Sequence, residues 1–402
     1  MQMQIAGPIT LLLVVYSYFR KALTPTGILA AVFTAYVAAS HPWNLPFTLL
    51  CVFFLVGTLA TKVKKEYKKT LTLSATGSGG EGPRTHTQVF ANSLIATALT
   101  WMHTQQLNKR KADLLGPEAD TVEGSLCYSW KGDILPIGII ACYAAAAADT
   151  LGSELGILAR SEPRLIMDLS RVVPRGTNGG VTLEGLIAGL LGSTIIAFAS
   201  IYTIPFCEGD ASAGALGGGE PWSTEYRTYF IIAIAFWGVL GSIFDSWVGA
   251  NIQRTVKDVR TGKVVEGEGG ARAMTTADEE ERANREIRAE EKRKEIEAKR
   301  QAWLARNSEP WGPKATTSGV EQPAELKPRE KPEEKAEQKV EEKKAEVTKA
   351  DETKDHSRVV ENGMDIFDNN DVNFATSFFM GITALGVACR VFGKGFDSVS
   401  IS

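Results

Sequence analysis

Histidine and cysteine are scarce in this chain, at four and five in 402 residues. His41, His86, His103 and His356 are scattered without metal-ligand spacing, which argues against a zinc centre. Five cysteines are too few for a disulfide scaffold. A Gly-x-Ser-x-Gly elbow is missing, so the usual mark of an α/β-hydrolase is absent. No nucleic-acid-binding module is visible, and a net charge of −3 says nothing about a partner. The averages, 44% hydrophobic and 23% charged, resemble those of a soluble protein, but the two classes are segregated. Apolar runs fill most of residues 1–250 and return at 372–392, while Lys, Arg, Glu and Ala dominate 251–360. That pattern excludes a single soluble globular domain.

A bilayer core of about 30 Å needs roughly 20 apolar residues in a helix. Runs that meet or approach this length are Ile5–Phe19, Gly27–Ser40, Leu45–Thr61, Gln88–Met102, Ile134–Ala148, Val181–Pro205, Tyr229–Val248 and Val372–Phe392. The chain therefore reads as all-α, a polytopic transmembrane helix bundle of about eight spans, with the Gln88–Met102 run the weakest. The division is 1–255 (seven spans), 256–360 (a charged, low-complexity insert) and 361–402 (a final span and tail). The first run lacks a basic n-region before it and an obvious small-x-small cleavage site after it, so it reads as a retained anchor.

Lys and Arg gather in alternate loops, at Arg20–Lys21, 62–87, 149–180 and the charged segment. The loop 103–133, with Lys109, Arg110, Lys111 and Lys131, breaks the pattern. The positive-inside rule puts the basic set in the cytosol, in an endomembrane such as the endoplasmic reticulum. Cys127 and Cys207 then share the oxidising side, which predicts a disulfide between them. Within the insert, residues 279–300 hold sixteen charges in twenty-two residues, with Glu and Lys/Arg three and four apart, and read as an exposed single helix. Residues 320–356 read as disorder. A solvated linker is the simplest reading of the insert; a docking tail for a protein partner is the alternative.

Polar residues in apolar spans are costly and mark function. If the fifth span continues as a helix, Asp149, Thr150, Ser153 and Glu154 fall within an arc of roughly 140°. Such oxygens suit Mg²⁺, although a helix end meeting water would look the same. Asp245 sits in the seventh span between Ser242 and Ser246, among Gly238, Gly241 and Gly249. Arg175-Gly-Thr-Asn178-Gly179-Gly180 opens a helix and could cradle phosphate or simply cap it; it lacks the Gly-Lys-Ser/Thr ending of a P-loop. Asn370 and Asn373 precede the last span, and Lys64 and Arg84 belong to the basic loop. The topology gathers all of these at one face. Asp149, Glu154 and Asp245 are the expected catalytic and metal residues. Ser153, Arg175, Asn178, Gly179, Gly180, Lys64, Arg84, Asn370 and Asn373 are the expected nucleotide contacts.

Several of these stretches resemble the transmembrane protein 19 family of integral membrane proteins. The matching pieces are residues 84–92 from Arg84 to Asn92, 149–156 from Asp149 to Gly156, 174–182 from Pro174 to Thr182, 241–246 from Gly241 to Ser246, and 368–373 from Asp368 to Asn373. The family pattern has Gly-Gly where this chain has Ser93-Leu94. The resemblance implies a relative of a plant phytyl-phosphate kinase, which makes an isoprenyl diphosphate from its monophosphate. A loosely similar Gly/Asp/Ser arrangement in CTP-dependent polyprenol and phytol kinases makes CTP a candidate donor. The expected activity is therefore a membrane isoprenyl-phosphate kinase using Mg²⁺ and a nucleoside triphosphate on a lipid phosphate drawn from the bilayer. A transporter or flippase for an anionic lipid, or a non-catalytic scaffold, are the competing expectations.

Overall fold

The computed structural model describes residues 3–74, 82–116, 125–209, 219–307 and 357–399. It divides into one unit of residues 1–273 with 360–402 and a second of 274–359. In the first unit, the long helices are α1 (Met3–Phe19), α2 (Pro25–Ser40), α3 (Leu45–Lys62), α5 (His86–Leu114), α6 (Leu135–Gly156), α7 (Leu183–Thr203), α8 (Thr224–Ile252) and α10 (Asn369–Phe392). A single turn, α4 (Lys65–Lys68), follows α3. Among the described residues, α3, α6, α7, α8 and α10 are long and apolar enough to cross a membrane. Helices α1 and α2 are apolar but shorter, and α5 is long without being among the crossing candidates. Large apolar side chains such as Leu12, Leu29, Tyr202 and Phe236 are exposed, as lipid-facing surface requires.

The starts of these helices are legible. Thr24, Thr85, Thr182, Ser223 and Asp368 each cap a first turn by accepting from a backbone N–H. Pro follows the cap in α2 and α3, where its missing N–H costs nothing. Helix α6 is the hub. Its run from Ala144 to Ala148 is buried against glycines of α7 and α8. A Cβ on Gly192 would lie 2.6 Å from the Ala147 carbonyl oxygen, and one on Gly238 would lie 2.3 Å from the Ser193 Cβ. Small residues on both partners let the backbones touch.

The fold is not purely helical. One sheet joins β2 (Arg164–Leu165), β3 (Asp168–Val172) and β4 (Gly180–Val181) in the order β3-β2-β4. The other has β1 (Leu73–Ser74), β5 (Thr255–Asp258), β6 (Val264–Glu266) and β7 (Arg358–Asn362) in the order β1-β6-β5-β7. Strands β5 and β6 form a hairpin, with β-branched Thr255 and Val256 on one side of a turn and Val264 and Val265 on the other. In that turn the Asp258 carboxylate accepts from the Thr261 N–H at 2.9 Å, and Gly262 takes φ +70°. Residues 256–273, grouped by composition with the charged insert, thus pack with the helical unit, and the unit boundary falls at 274. In the second unit, α9 (Thr276–Asn307) contains the expected 279–300 helix, with i,i+4 pairs such as Arg285–Glu281 and Lys299–Glu295. The Lys/Glu repeat at 320–356 lies outside the described residues.

At the end of the bundle away from Asp149, Cys127 and Cys207 form the expected disulfide, while Cys51, Cys142 and Cys389 are free. The histidines are not all scattered in space: His41, after α2, meets His103 of α5. The Trp43 N–H donates to His41 Nδ1 (2.9 Å), so His41 Nε2–H donates to His103 Nδ1 (2.9 Å), and His103 Nε2–H donates to Asp133 (3.1 Å). Arg110 grips the same carboxylate at 2.7 and 2.9 Å. Burial would raise the Asp133 carboxyl, but hydrogen bonds from His103 and Arg110 hold it well below the ordinary carboxylate range. Burial, and then His103, push the His41 imidazole down to about 2.

The two shifts act in different pH windows. Asp133 is depressed, so its contribution persists through mild acid and is lost only as pH falls through its low folded value. Unfolded His41 protonates near 6.5 while folded His41 does not, so folding loses about 1.4 kcal/mol per unit as pH drops below that value. The melting temperature in detergent should therefore fall between about pH 7.5 and about pH 5, and His41→Gln should flatten that slope. A wild-type melting temperature independent of pH over this interval would contradict the assignment.

Candidate functional site

A cavity of about 420 Å³ opens where the ends of α6 and α8 meet the starts of α5, α7 and α10. Asp149 and Asp245 both line it, half-buried, on adjacent helices. They are close enough to feel each other's charge, and Ser242, one turn before Asp245, lines the cavity with them. Thr376 of α10 donates to Asp245 at 3.0 Å. Helix α6 runs unbroken to Gly156, so Ser153 also reaches the cavity. Its hydroxyl proton goes to the Asp149 carbonyl (2.9 Å), leaving its lone pairs to accept. The sequence places Ser242 on the face of α8 that carries Asp245, but it does not point to Thr376, which lies on a helix brought beside Asp245 by the fold.

The expected three-acid cluster does not form. Glu154 lines the cavity, but its carboxylate is ion-paired with Lys68, which also donates to the Ala60 carbonyl at 3.0 Å. Among the described residues no three His, Cys, Asp or Glu side chains converge as a metal site. The turn α4 aims Lys68 inward, whereas Lys64 precedes that turn in a left-handed conformation, is exposed, and does not line the cavity. One helical turn thus separates Lys68, which reaches α6, from Lys64, the expected nucleotide contact.

The Arg175–Gly180 turn also lines the cavity, with most of its polar groups already used. Arg175 donates to the Ile157 carbonyl at 2.8 Å, fastening the end of α6. The Asn178 N–H donates to the Thr255 hydroxyl (3.0 Å), and its side-chain amide donates to the Arg254 carbonyl (3.2 Å). The N–H groups of Thr177 and Gly180 bond within the turn. Those three N–H groups are therefore not open to a phosphate. Gly179, at φ +76°, lies where a Cβ would meet the Ala250 Cβ at 2.4 Å, so its role is close packing on α8.

Arg84 is fixed by backbone bonds to Ala22 and Thr24, and its guanidinium lies over Gly57 of α3 at the cavity wall. Asn373 lines the cavity; Asn370 does not, and its side chain is buried with the amide donating to Gly269 at 3.2 Å. Arg254, just after α8, and Arg272, from the stretch read as insert, stand on the cavity wall and pair with Asp365 at 3.6 and 3.4 Å.

The fold and site define a multi-pass integral membrane protein with a polar cavity at one end of its bundle. A profile of the integral membrane protein family DUF92 matches residues 8–381, and the chain belongs to that family. Protein PGR of Arabidopsis thaliana is 32% identical over 240 residues, 59% of this chain and 74% of that protein. Protein VTE6, chloroplastic, of the same plant is 27% identical over 175 residues, 44% of this chain and 46% of that protein. An uncharacterized membrane protein of Methanocaldococcus jannaschii is 33% identical over 148 residues, 37% of this chain and 49% of that protein. The matches thus span about three quarters of one relative and about half of the other two. No solved structure matches the chain.

Proposed function

We propose that this protein is a membrane-embedded kinase that transfers the terminal phosphoryl group of a nucleoside triphosphate to an isoprenyl monophosphate. The observation that carries this reading is the Asp149–Ser242–Asp245 arrangement at the polar end of a cavity set among membrane-crossing helices. Two carboxylates completed by substrate phosphates are an ordinary way to hold Mg²⁺, so Asp149 and Asp245 fit that ion without a third acid. When bound, Mg²⁺ would offset phosphate charge. In the transfer, an oxygen of the lipid phosphate attacks the terminal phosphorus. The bond from that phosphorus to the bridging oxygen breaks, and nucleoside diphosphate leaves. Arg84 counters charge on the phosphates, and Ser153 accepts a hydrogen bond from a nucleotide hydroxyl. Glu154, which lines the cavity, serves by pairing with Lys68 and so tying α4 to the end of α6.

The resemblance to the transmembrane protein 19 family, with its plant phytyl-phosphate kinase, supports the same chemistry, and the looser likeness to polyprenol and phytol kinases adds CTP to the candidate donors. In this reading α1, α2 and α5 also cross, giving eight spans. The cavity end and the charged insert face the cytosol from an endomembrane. The test is purified protein incubated with terminally labelled ATP or CTP and a panel of isoprenyl monophosphates. Label should appear in the isoprenyl diphosphate; no labelled lipid with any donor would overturn the proposal.

A further inference from the structure

The cavity has a second limb that the carboxylates do not touch. It runs between α1, α2 and α3, walled by Leu13 and Val14, Ile28 and Ala31, and Leu50 and Phe54. Thr10, Ser17 and Thr34 also line it, but each hydroxyl donates to a carbonyl of its own helix, at 2.8, 2.7 and 3.0 Å. The limb is thus apolar in effect. From Ile28 to Ala35 it follows seven residues of α2, or about 10 Å. Its far end meets Phe47, only 2% exposed, which packs with Ala35 and with Ala6, Ala38 and Ala39 beyond it. Phe47 is the one large ring of that cluster; its other buried members are alanines, with Leu50 and Cys51 packed against them.

We infer that this limb holds the hydrocarbon chain of the lipid phosphate, and that Phe47 is the floor that sets the longest chain accepted. The inference rests on the lipid-phosphate reading of the carboxylate end and names the subsite for the other half of that ligand. Continuity is the argument. A single cavity with charged groups at one end and an apolar limb at the other matches an amphiphile with an anionic head. A purely polar ligand would lose water in the limb without hydrogen bonds in return. Phe47→Ala would leave a void lined by alanines, which a longer chain can fill. Ala35→Leu would fill the same space from the opposite helix.

The test uses the purified full-length protein without nucleotide. Diazirine-bearing farnesyl and geranylgeranyl phosphates are photo-crosslinked and the labelled residues mapped by mass spectrometry. Unlabelled geranyl, farnesyl and geranylgeranyl phosphates compete. Label should fall on residues 10–54. Ala35→Leu should weaken geranylgeranyl phosphate binding by about tenfold while keeping geranyl phosphate, which also reports an intact fold, and Phe47→Ala should shift preference to longer chains. Label outside α1–α3, or an unchanged chain preference in both variants, would overturn the inference. Label in the limb of a protein that transfers no phosphoryl group would keep this inference and retract the kinase reading. Phosphoryl transfer with label elsewhere would do the reverse.

Discussion

Asp149→Asn should reduce phosphoryl transfer by roughly a hundred- to a thousandfold while leaving membrane insertion and lipid-phosphate binding intact. The side chain keeps its size and polarity, so packing between α6 and α8 is preserved. What is lost is one of two anionic oxygen donors at the polar end of the cavity. Two carboxylates held near one another repel, so removing one charge should leave the melting temperature unchanged or higher. That combination, a protein at least as stable but inactive, separates a catalytic carboxylate from a structural one. Asp245→Asn should behave alike, since Thr376 can still donate to its remaining carbonyl oxygen. Retained turnover in either variant, or collapse of the fold in both, would remove these residues from the chemistry.

Gly238→Val should eliminate folded protein rather than tune its activity. A Cβ there would stand 2.3 Å from the Ser193 Cβ and 2.7 Å from the Ala144 carbonyl oxygen, so neither a side chain nor a backbone can give way cheaply. Three helices meet at this point, and prying them apart costs about 3 kcal/mol or more. The control is Gly7→Val in α1, where a Cβ meets nothing within 4 Å. Size-exclusion profiles and thermal melts in detergent should show a monodisperse Gly7 variant and an aggregated or absent Gly238 variant. Equal behaviour of the two would contradict the central packing of α6, α7 and α8.

The residues most readable in the sequence were those whose chemistry clashes with a span. Asp149 and Asp245 stood out because a carboxylate among Ala, Ile and Phe needs a reason, and the alanine run before Asp149 foretold close packing. Cys127 and Cys207 paired because both lie in loops of one side. Pairings made by the fold were hidden. Glu154 reads as a third ligand until α4 delivers Lys68 to it, and nothing local distinguishes Lys68 from Lys64. Arg175 and Asn178 look like phosphate-binding residues, yet their partners, the Ile157 carbonyl and residues 254–255, are fixed by tertiary contact. His41 and His103, 62 positions apart, meet because α2 and α5 are neighbours. Composition hides residues 256–273: they border a charged run, and their hairpin becomes plain only when paired with Leu73 and Ser74.

The most direct test of the account is reconstitution into vesicles with an isoprenyl monophosphate in the membrane and a terminally labelled nucleoside triphosphate on one side. Two quantities are followed together: labelled isoprenyl diphosphate, and movement of unchanged monophosphate between leaflets. The account predicts labelled diphosphate on the nucleotide-facing leaflet, its loss in Asp149→Asn, and no protein-dependent movement of the monophosphate. Rapid movement of unmodified monophosphate without any labelled product would contradict it and identify a lipid-phosphate transporter instead.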